Sequence, residues 1–266
     1  MRIAAAVFAA TMIGLGGWGL LAHDFAPIWR PVPRHWPARE ALVWLTGVVS
    51  IGGGLGLLWK RTAAAAGGAL AVLLLVWLLV LKAPAIVATP GLAAAWESCG
   101  ETAVLAAGAW ASGAWVLAAE AGGALRRFPG VARDGGVRLA RGLYALAMLA
   151  FGAAHVAYID ATAALVPGWL PGHVAWVWVT AAAYGGAGVA MLVGALARLA
   201  ATLSALQMGV FTLLVWAPIV ARGHAGPDDL GEAAISWSLT AAGAVVAASY
   251  RGGPWLTIRS RRANRA

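Results

Sequence analysis

The sequence has little charge and almost no cysteine. Charged residues make up 11% of its 266 residues, whereas soluble domains carry about 25%. Most of the protein surface therefore faces something other than water. A single cysteine, Cys99, excludes an internal disulfide and every Cys-x-x-Cys redox or zinc motif.

The sequence also lacks the short motifs that identify common enzyme families. It has no P-loop, no Gly-x-Ser-x-Gly nucleophile elbow and no His-Glu-x-x-His zinc site. We therefore assign no catalytic residues and expect no independent enzyme.

The sequence is instead rich in long apolar runs. Hydrophobic residues reach 62% of the chain, and several runs approach 20 residues, which at about 1.5 Å per residue crosses a hydrocarbon core of about 30 Å. These runs predict an all-α polytopic integral membrane protein. The eight predicted transmembrane helices are 3–22, 41–59, 63–82, 96–118, 138–157, 173–196, 199–221 and 232–250. The first run has the form of a signal peptide, but its match to the helix at 138–157 favours retention.

The chain repeats itself. Residues 18–46 and 151–180 share one order of features: an apolar helix, a histidine, a proline-containing turn and a second apolar helix. Adding 134 to the residue number, which we call the repeat offset, aligns Pro33 with Pro167, Trp44 with Trp178, and Pro84 with Pro218. An offset of 135 aligns Glu97 with Glu232. Ordered coincidences of this kind predict an internal duplication.

The repeat divides the chain into two four-helix units. The first half is 1–118 and the second half is 138–250, with a basic linker at 119–137 and a basic tail at 251–266. Because each unit has an even number of helices, both enter the membrane from one side, as a parallel repeat with its axis along the membrane normal. We expect two bundles side by side, with close helix contacts at Gly52–Gly56 and Gly185–Gly188.

Charge predicts the orientation. Most of the 19 basic residues fall at the N-terminus, in alternate loops and in the tail, which places both termini in the cytoplasm. This rule explains the net charge of +9 without nucleic acid. The cytoplasmic set is Arg2, Lys60, Arg61, Arg126, Arg127, Arg133, Arg138, Arg141, Arg198, Arg251, Arg259, Arg261, Arg262 and Arg265. Eight of the ten acids and all five histidines fall on or near the outer side.

The second half resembles the DoxX-like family of small bacterial four-helix membrane proteins. The resemblance is carried by Phe151, Gly152, His155, Val166-Pro167, Trp169-Leu170-Pro171 and Gly185–Gly188. The first half looks like a diverged copy that keeps Gly19, His23, Pro33, Pro37 and Gly52–Gly56. The resemblance implies a membrane subunit of a respiratory or sulfur-linked oxidoreductase, associated in some members with quinone reduction. It also implies a location in the bacterial cytoplasmic membrane.

Five residues are candidates for cofactor binding, with quinone as the candidate cofactor: His155, Asp160, Trp169, Glu97 and Glu232. Each has a plainer interpretation. The histidine and aspartate suit an interfacial polar position, and their spacing is not diagnostic of a metal site. Glu97, Glu101 and Glu232 suit helix capping or proton acceptance beside a ligand.

The tryptophans and the cysteine also have plain interpretations. Trp29, Trp36, Trp44, Trp169, Trp176 and Trp178 suit an outer aromatic belt. Cys99 suits simple packing. The basic tail suits attachment to anionic lipid or docking of a partner.

Three functions stay open on the sequence. The first is a DoxX-like accessory or anchoring subunit of a quinone-linked redox system, with an oxidoreductase partner. The second is a small-molecule carrier with a permeation path between the two bundles. The third is a structural membrane protein without a ligand.

Overall fold

A computed structural model describes residues 2–120 and 135–257, with the side chains of 115–120 left out. Within these residues all regular secondary structure is helical, as predicted. The helices are α1 Arg2–Ala22, α2 Arg39–Leu58, α3 Lys60–Ala88, α4 Ala93–Glu120, α5 Gly136–Ala157, α6 Ile159–Ala164, α7 His173–Val193, α8 Ala197–Ala221 and α9 Pro227–Ser249. The predicted linker and tail fall largely outside the described residues.

Seven of these helices are long and apolar enough to cross a membrane, judged by length and composition. They are α1, α2, α3, α5, α7, α8 and α9. The chain is therefore a multi-pass membrane protein. The remaining predicted transmembrane helix coincides with α4, which has 28 residues, and its crossing of the membrane stays a prediction.

The fourth helix of each half begins earlier than predicted. Helix α9 starts at Pro227, and Asp228 and Asp229 occupy its first turn, where a proline and carboxylates are both favourable. The Asp229 carboxylate accepts a hydrogen bond from the Gly226 N–H at 3.0 Å. Helix α4 has no acid in its first turn.

Glu97, Glu101 and Glu232 therefore lie one turn or more inside their helices. The capping interpretation is wrong for all three. Their carboxylates need another explanation.

The segment after the first helix of each half folds differently in the two halves. In the second half it forms the short helix α6, which the sequence did not predict. In the first half it makes a single 3₁₀ turn, Pro27–Trp29, all three residues of which are buried. Trp29 is thus a core residue, and its assignment to the aromatic belt is wrong. Trp44, Trp169, Trp176 and Trp178 are exposed, as a belt requires.

The long helices form a closed ring in which α4 and α9 are shared between the halves. Each long helix packs on the next along the chain, and α9 returns to pack on α1. Helix α4 packs on α5, and α4 and α9 also contact each other. The last helix of each half thus packs against the first helix of the other half, so the two halves are joined.

The helix bounds follow the repeat offset that the sequence predicts. Three pairs of helices have first residues related by this offset, namely α1 with α5, α2 with α7, and α4 with α9. Helices α3 and α8 carry five-residue π-helical segments at the same offset, Leu78–Lys82 and Thr212–Trp216, each followed by Ala-Pro. Such segments are rare in helices.

Gly108 and Ala242 are related by the repeat offset as well, and they meet between α4 and α9. A Cβ on Gly108 would lie 2.8 Å from the Ala242 Cβ. The two helices therefore approach each other closely at these positions.

Candidate ligand cavity

A cavity of about 730 Å³ lies in the second half. Its walls come from α5, α6, the proline-containing segment 165–170, α7, α8 and α9, and α4 of the first half adds two residues. Val177 and Tyr184 are buried at its inner end, whereas Trp176, Val179 and Leu214 are exposed. The cavity is therefore accessible from the exposed face of α7 and α8.

Four rings form the inner aromatic wall of the cavity: Phe151, His155, Tyr184 and Phe211. The His155 ring stacks on Phe211 with centroids 5.8 Å apart and planes inclined by 15°. Tyr184 meets His155 edge-on at 5.3 Å and Phe151 at 5.8 Å. Such arrangements are favourable for aromatic pairs, and the wall presents flat ring faces to the cavity.

His155 presents a defined nitrogen at this wall. Its Nδ1 lies 2.9 Å from the Phe151 carbonyl oxygen. Because a carbonyl only accepts, Nδ1 carries the hydrogen and Nε2 of the neutral ring is an acceptor. The Gln207 amide donates to the Thr180 carbonyl at 3.1 Å, which fixes a second polar group in the lining.

Three carboxylates line the cavity from two helices that meet near the centre of the ring. Glu97 and Glu101 come from α4, and Glu232 comes from α9. Lys82 is close enough for its charge to interact with that of Glu101. The lysine is only 2% exposed, and its ammonium donates to the Ser98 hydroxyl at 2.7 Å and to the Arg30 carbonyl. The acidic end of the cavity thus has a buried cation behind it.

The structure brings four of the five predicted binding residues together. His155, Trp169, Glu97 and Glu232 line the cavity. Asp160 is exposed on α6 and does not line it. The role of the four in binding a cofactor stays a prediction, but their convergence on one cavity is a property of the fold.

Sequence reasoning missed the residues that shape the inner end. Tyr184, Phe211 and Gln207 are not among the predicted residues, and Glu101 is predicted for capping or proton acceptance but is not one of the five binding candidates. Phe151 and His155 lie four residues apart, on one face of α5. Projecting Trp77 through the repeat offset would have selected Phe211 as well.

Metal binding has no built site in the part of the chain that is described. Within residues 2–120 and 135–257, no group of three or more His, Cys, Asp or Glu side chains could hold a metal ion. Cys99 is a half-buried free thiol on α4. The side chains that line the cavity offer aromatic faces for stacking and polar groups for hydrogen bonding and proton exchange.

Comparison of the chain with protein-family models, with curated proteins and with solved structures finds no match. The resemblance to the DoxX-like family stays a prediction.

Proposed function

We propose that this protein is a DoxX-like tandem membrane protein that binds a quinone-type ligand and serves as an accessory subunit of a membrane redox system. The observation that carries the proposal is the cavity. It unites an aromatic wall, a histidine acceptor and three carboxylates in one space that opens on the exposed face of α7 and α8.

The lining suits a quinone ring in size and chemistry. Ligand cavities commonly measure about 300–1,000 Å³ and combine apolar walls with a few placed polar groups. Flat faces at Tyr184 and Phe211 suit a planar ring. A lipid-facing opening between α7 and α8 would let an isoprenoid tail extend into the bilayer.

The polar groups favour the reduced ligand. A quinol donates two hydrogen bonds, whereas a quinone only accepts them. His155 Nε2 is an acceptor and so would hold a hydroxyl group of the quinol. The carboxyl groups of Glu97 and Glu232 would exchange the protons that the quinol releases when the oxidoreductase partner takes its two electrons. Quinone itself would supply two-electron chemistry with an oxidoreductase partner, and this chain would bind, orient and exchange protons.

The proposal includes a location and an orientation. We place the protein in the bacterial cytoplasmic membrane with both termini in the cytoplasm, because the basic residues concentrate at that side. The cavity then lies toward the outer leaflet, since His155 ends α5 on the outer side.

The test is binding of decylubiquinol and decylubiquinone to the protein in lipid nanodiscs, measured by tryptophan fluorescence. Trp169, Trp176 and Trp216 line the cavity, so an occupant changes their emission. We expect one site per chain and tighter binding of the quinol. His155→Leu removes one hydrogen-bond acceptor, worth about 1 kcal/mol, and should weaken quinol binding about fivefold.

His173→Leu is the matched control, because His173 begins α7 and does not line the cavity. Its quinol affinity should equal that of the wild type. Saturable binding that His155→Leu leaves unchanged would contradict the assignment of the site. Absence of saturable binding of either probe would contradict the quinone proposal itself.

A permeation path between the halves gains no support from the packing. Such a path would run between α4 and α9, where Gly108 and Ala242 are in close contact. We therefore place the ligand within the second half.

A further inference from the structure

The first half contains the same positions that line the cavity in the second half, but there they enclose protein. The repeat offset relates five cavity-lining residues to five buried residues of the first half. The pairs are Val43 with Val177, Ser50 with Tyr184, Leu74 with Met208, Trp77 with Phe211, and Lys82 with Trp216.

Two aromatic side chains occupy the corresponding space. Phe25 and Trp29 are each 1% exposed. Their ring centroids lie 5.4 Å and 5.1 Å from that of Trp77, and the Trp77 indole N–H donates to the Trp29 carbonyl at 3.0 Å. We name residues 25–29 the filling segment.

Ion pairs and hydrogen bonds of charged residues hold the filling segment in place at both ends. Asp24 forms ion pairs with Arg39 at 2.5 Å and with Arg30 at 3.2 Å. The Arg39 guanidinium also lies 5.0 Å from the Phe25 ring centroid. At the other end Lys82 donates to the Arg30 carbonyl, one residue beyond the segment.

The second half lacks the residues that make these interactions. At the repeat offset, His173 stands for Arg39, Phe211 for Trp77 and Trp216 for Lys82. The second half therefore has no counterpart of the Arg39 and Lys82 cations or of the Trp77 indole N–H donor. The chain after α5 forms α6 instead, which contributes Ala161 and Thr162 to the cavity wall and leaves the cavity open.

We infer that the filling segment is an internal occupant, held in the first half where a ligand binds in the second. The two halves are then a closed and an open form of one site. The occupant also defines the ligand class, because Trp29 places a two-ring aromatic next to a hydrogen-bonded carbonyl oxygen. The open cavity should accept a planar aromatic of indole or naphthoquinone size. This inference rests on the proposed function, because it requires that the cavity bind a ligand.

The experiment counts bound 5-fluoroindole per chain by ¹⁹F NMR of the protein in nanodiscs, with protein-free nanodiscs as the baseline for partitioning. The wild type should show one bound resonance. Trp29→Ala should show two, because vacating the first-half site creates a second one. In the background of Trp29→Ala, Val177→Phe should fill the original cavity and remove only the first resonance.

A single bound resonance in Trp29→Ala would overturn the inference. The inference would also be overturned if the wild type bound no fluoroindole and Trp29→Ala bound one. That result would mean that the substitution only creates a cavity and that the second half holds no equivalent site. Trp29→Leu retains more core volume and should show the same second resonance if the alanine variant does not fold. Correct fluoroindole counts with no quinol binding would refute the quinone proposal and leave this inference standing.

Discussion

Replacing Gly108 by alanine tests the close packing of α4 against α9. The added Cβ would lie 2.8 Å from the Ala242 Cβ and 3.0 Å from its Cα, whereas carbon atoms prefer about 3.5–4.0 Å. The Ala242 Cα belongs to the backbone, so α4 and α9 must move apart. Overpacking of this kind costs about 1–3 kcal/mol.

Gly186→Ala is the matched control, because its Cβ would meet nothing within 4 Å. Both variants gain the same helix propensity, about 1 kcal/mol for alanine over glycine, so their difference isolates the contact at Gly108. We expect Gly108→Ala to be the less stable by about 1–3 kcal/mol. The assay is equilibrium unfolding with dodecyl sulfate in mixed micelles, followed by tryptophan fluorescence. A Gly108→Ala variant as stable as Gly186→Ala would refute the close approach of the two helices.

Two further predictions concern the filling segment. Trp77→Phe leaves the buried Trp29 carbonyl without its donor and should lower the free energy of unfolding by about 1–3 kcal/mol, whereas Trp178→Phe, at a position 53% exposed, should leave it unchanged in the same assay. Burial opposes ionisation of Asp24, but hydrogen bonds from Arg39 and the Phe25 N–H and the charges of Arg39 and Arg30 bring its pKa below the ordinary value of 3.8. Its ion pairs therefore stabilise the fold fully above that pH, and this contribution is lost as the pH falls below 3.8 through the lowered pKa. Unfolding midpoints measured down to about pH 3 should fall more for the wild type than for Asp24→Asn, and an equal fall would contradict the role of the ion pairs.

Hydrophobic run length was enough to predict the long helices. The repeat offset was enough to predict which helices of the two halves correspond. They could not predict α6, because Ile159–Ala164 is a segment of only six residues that includes Asp160 and lies next to turn residues. In the structure it packs against α7. They also misplaced the start of α9, since Asp228 and Asp229 look like loop residues until Pro227 is recognised as the first residue of the helix.

The candidate site was only half visible in the sequence. His155 and Glu232 stand out because ionisable residues are rare in apolar helices. Tyr184 and Phe211 look like ordinary core residues, and only the three-dimensional arrangement shows that they face a cavity. Glu97 and Glu101 belong to the first half, and no pattern within either half shows that α4 carries them across to the second.

The exchange of α4 and α9 has a consequence for how such a site can be specialised. If two identical four-helix chains paired in the same way, each would lend its last helix to the other, and every substitution would appear twice. Both sites would then be filled, or both open. Because the two halves belong to one polypeptide, that constraint is absent, so that Trp77 and Lys82 can secure one half while Phe211 and Trp216 leave the other available. A fragment holding residues 138–250 alone would lack Glu97 and Glu101, and its cavity would lose the part of its wall that α4 supplies.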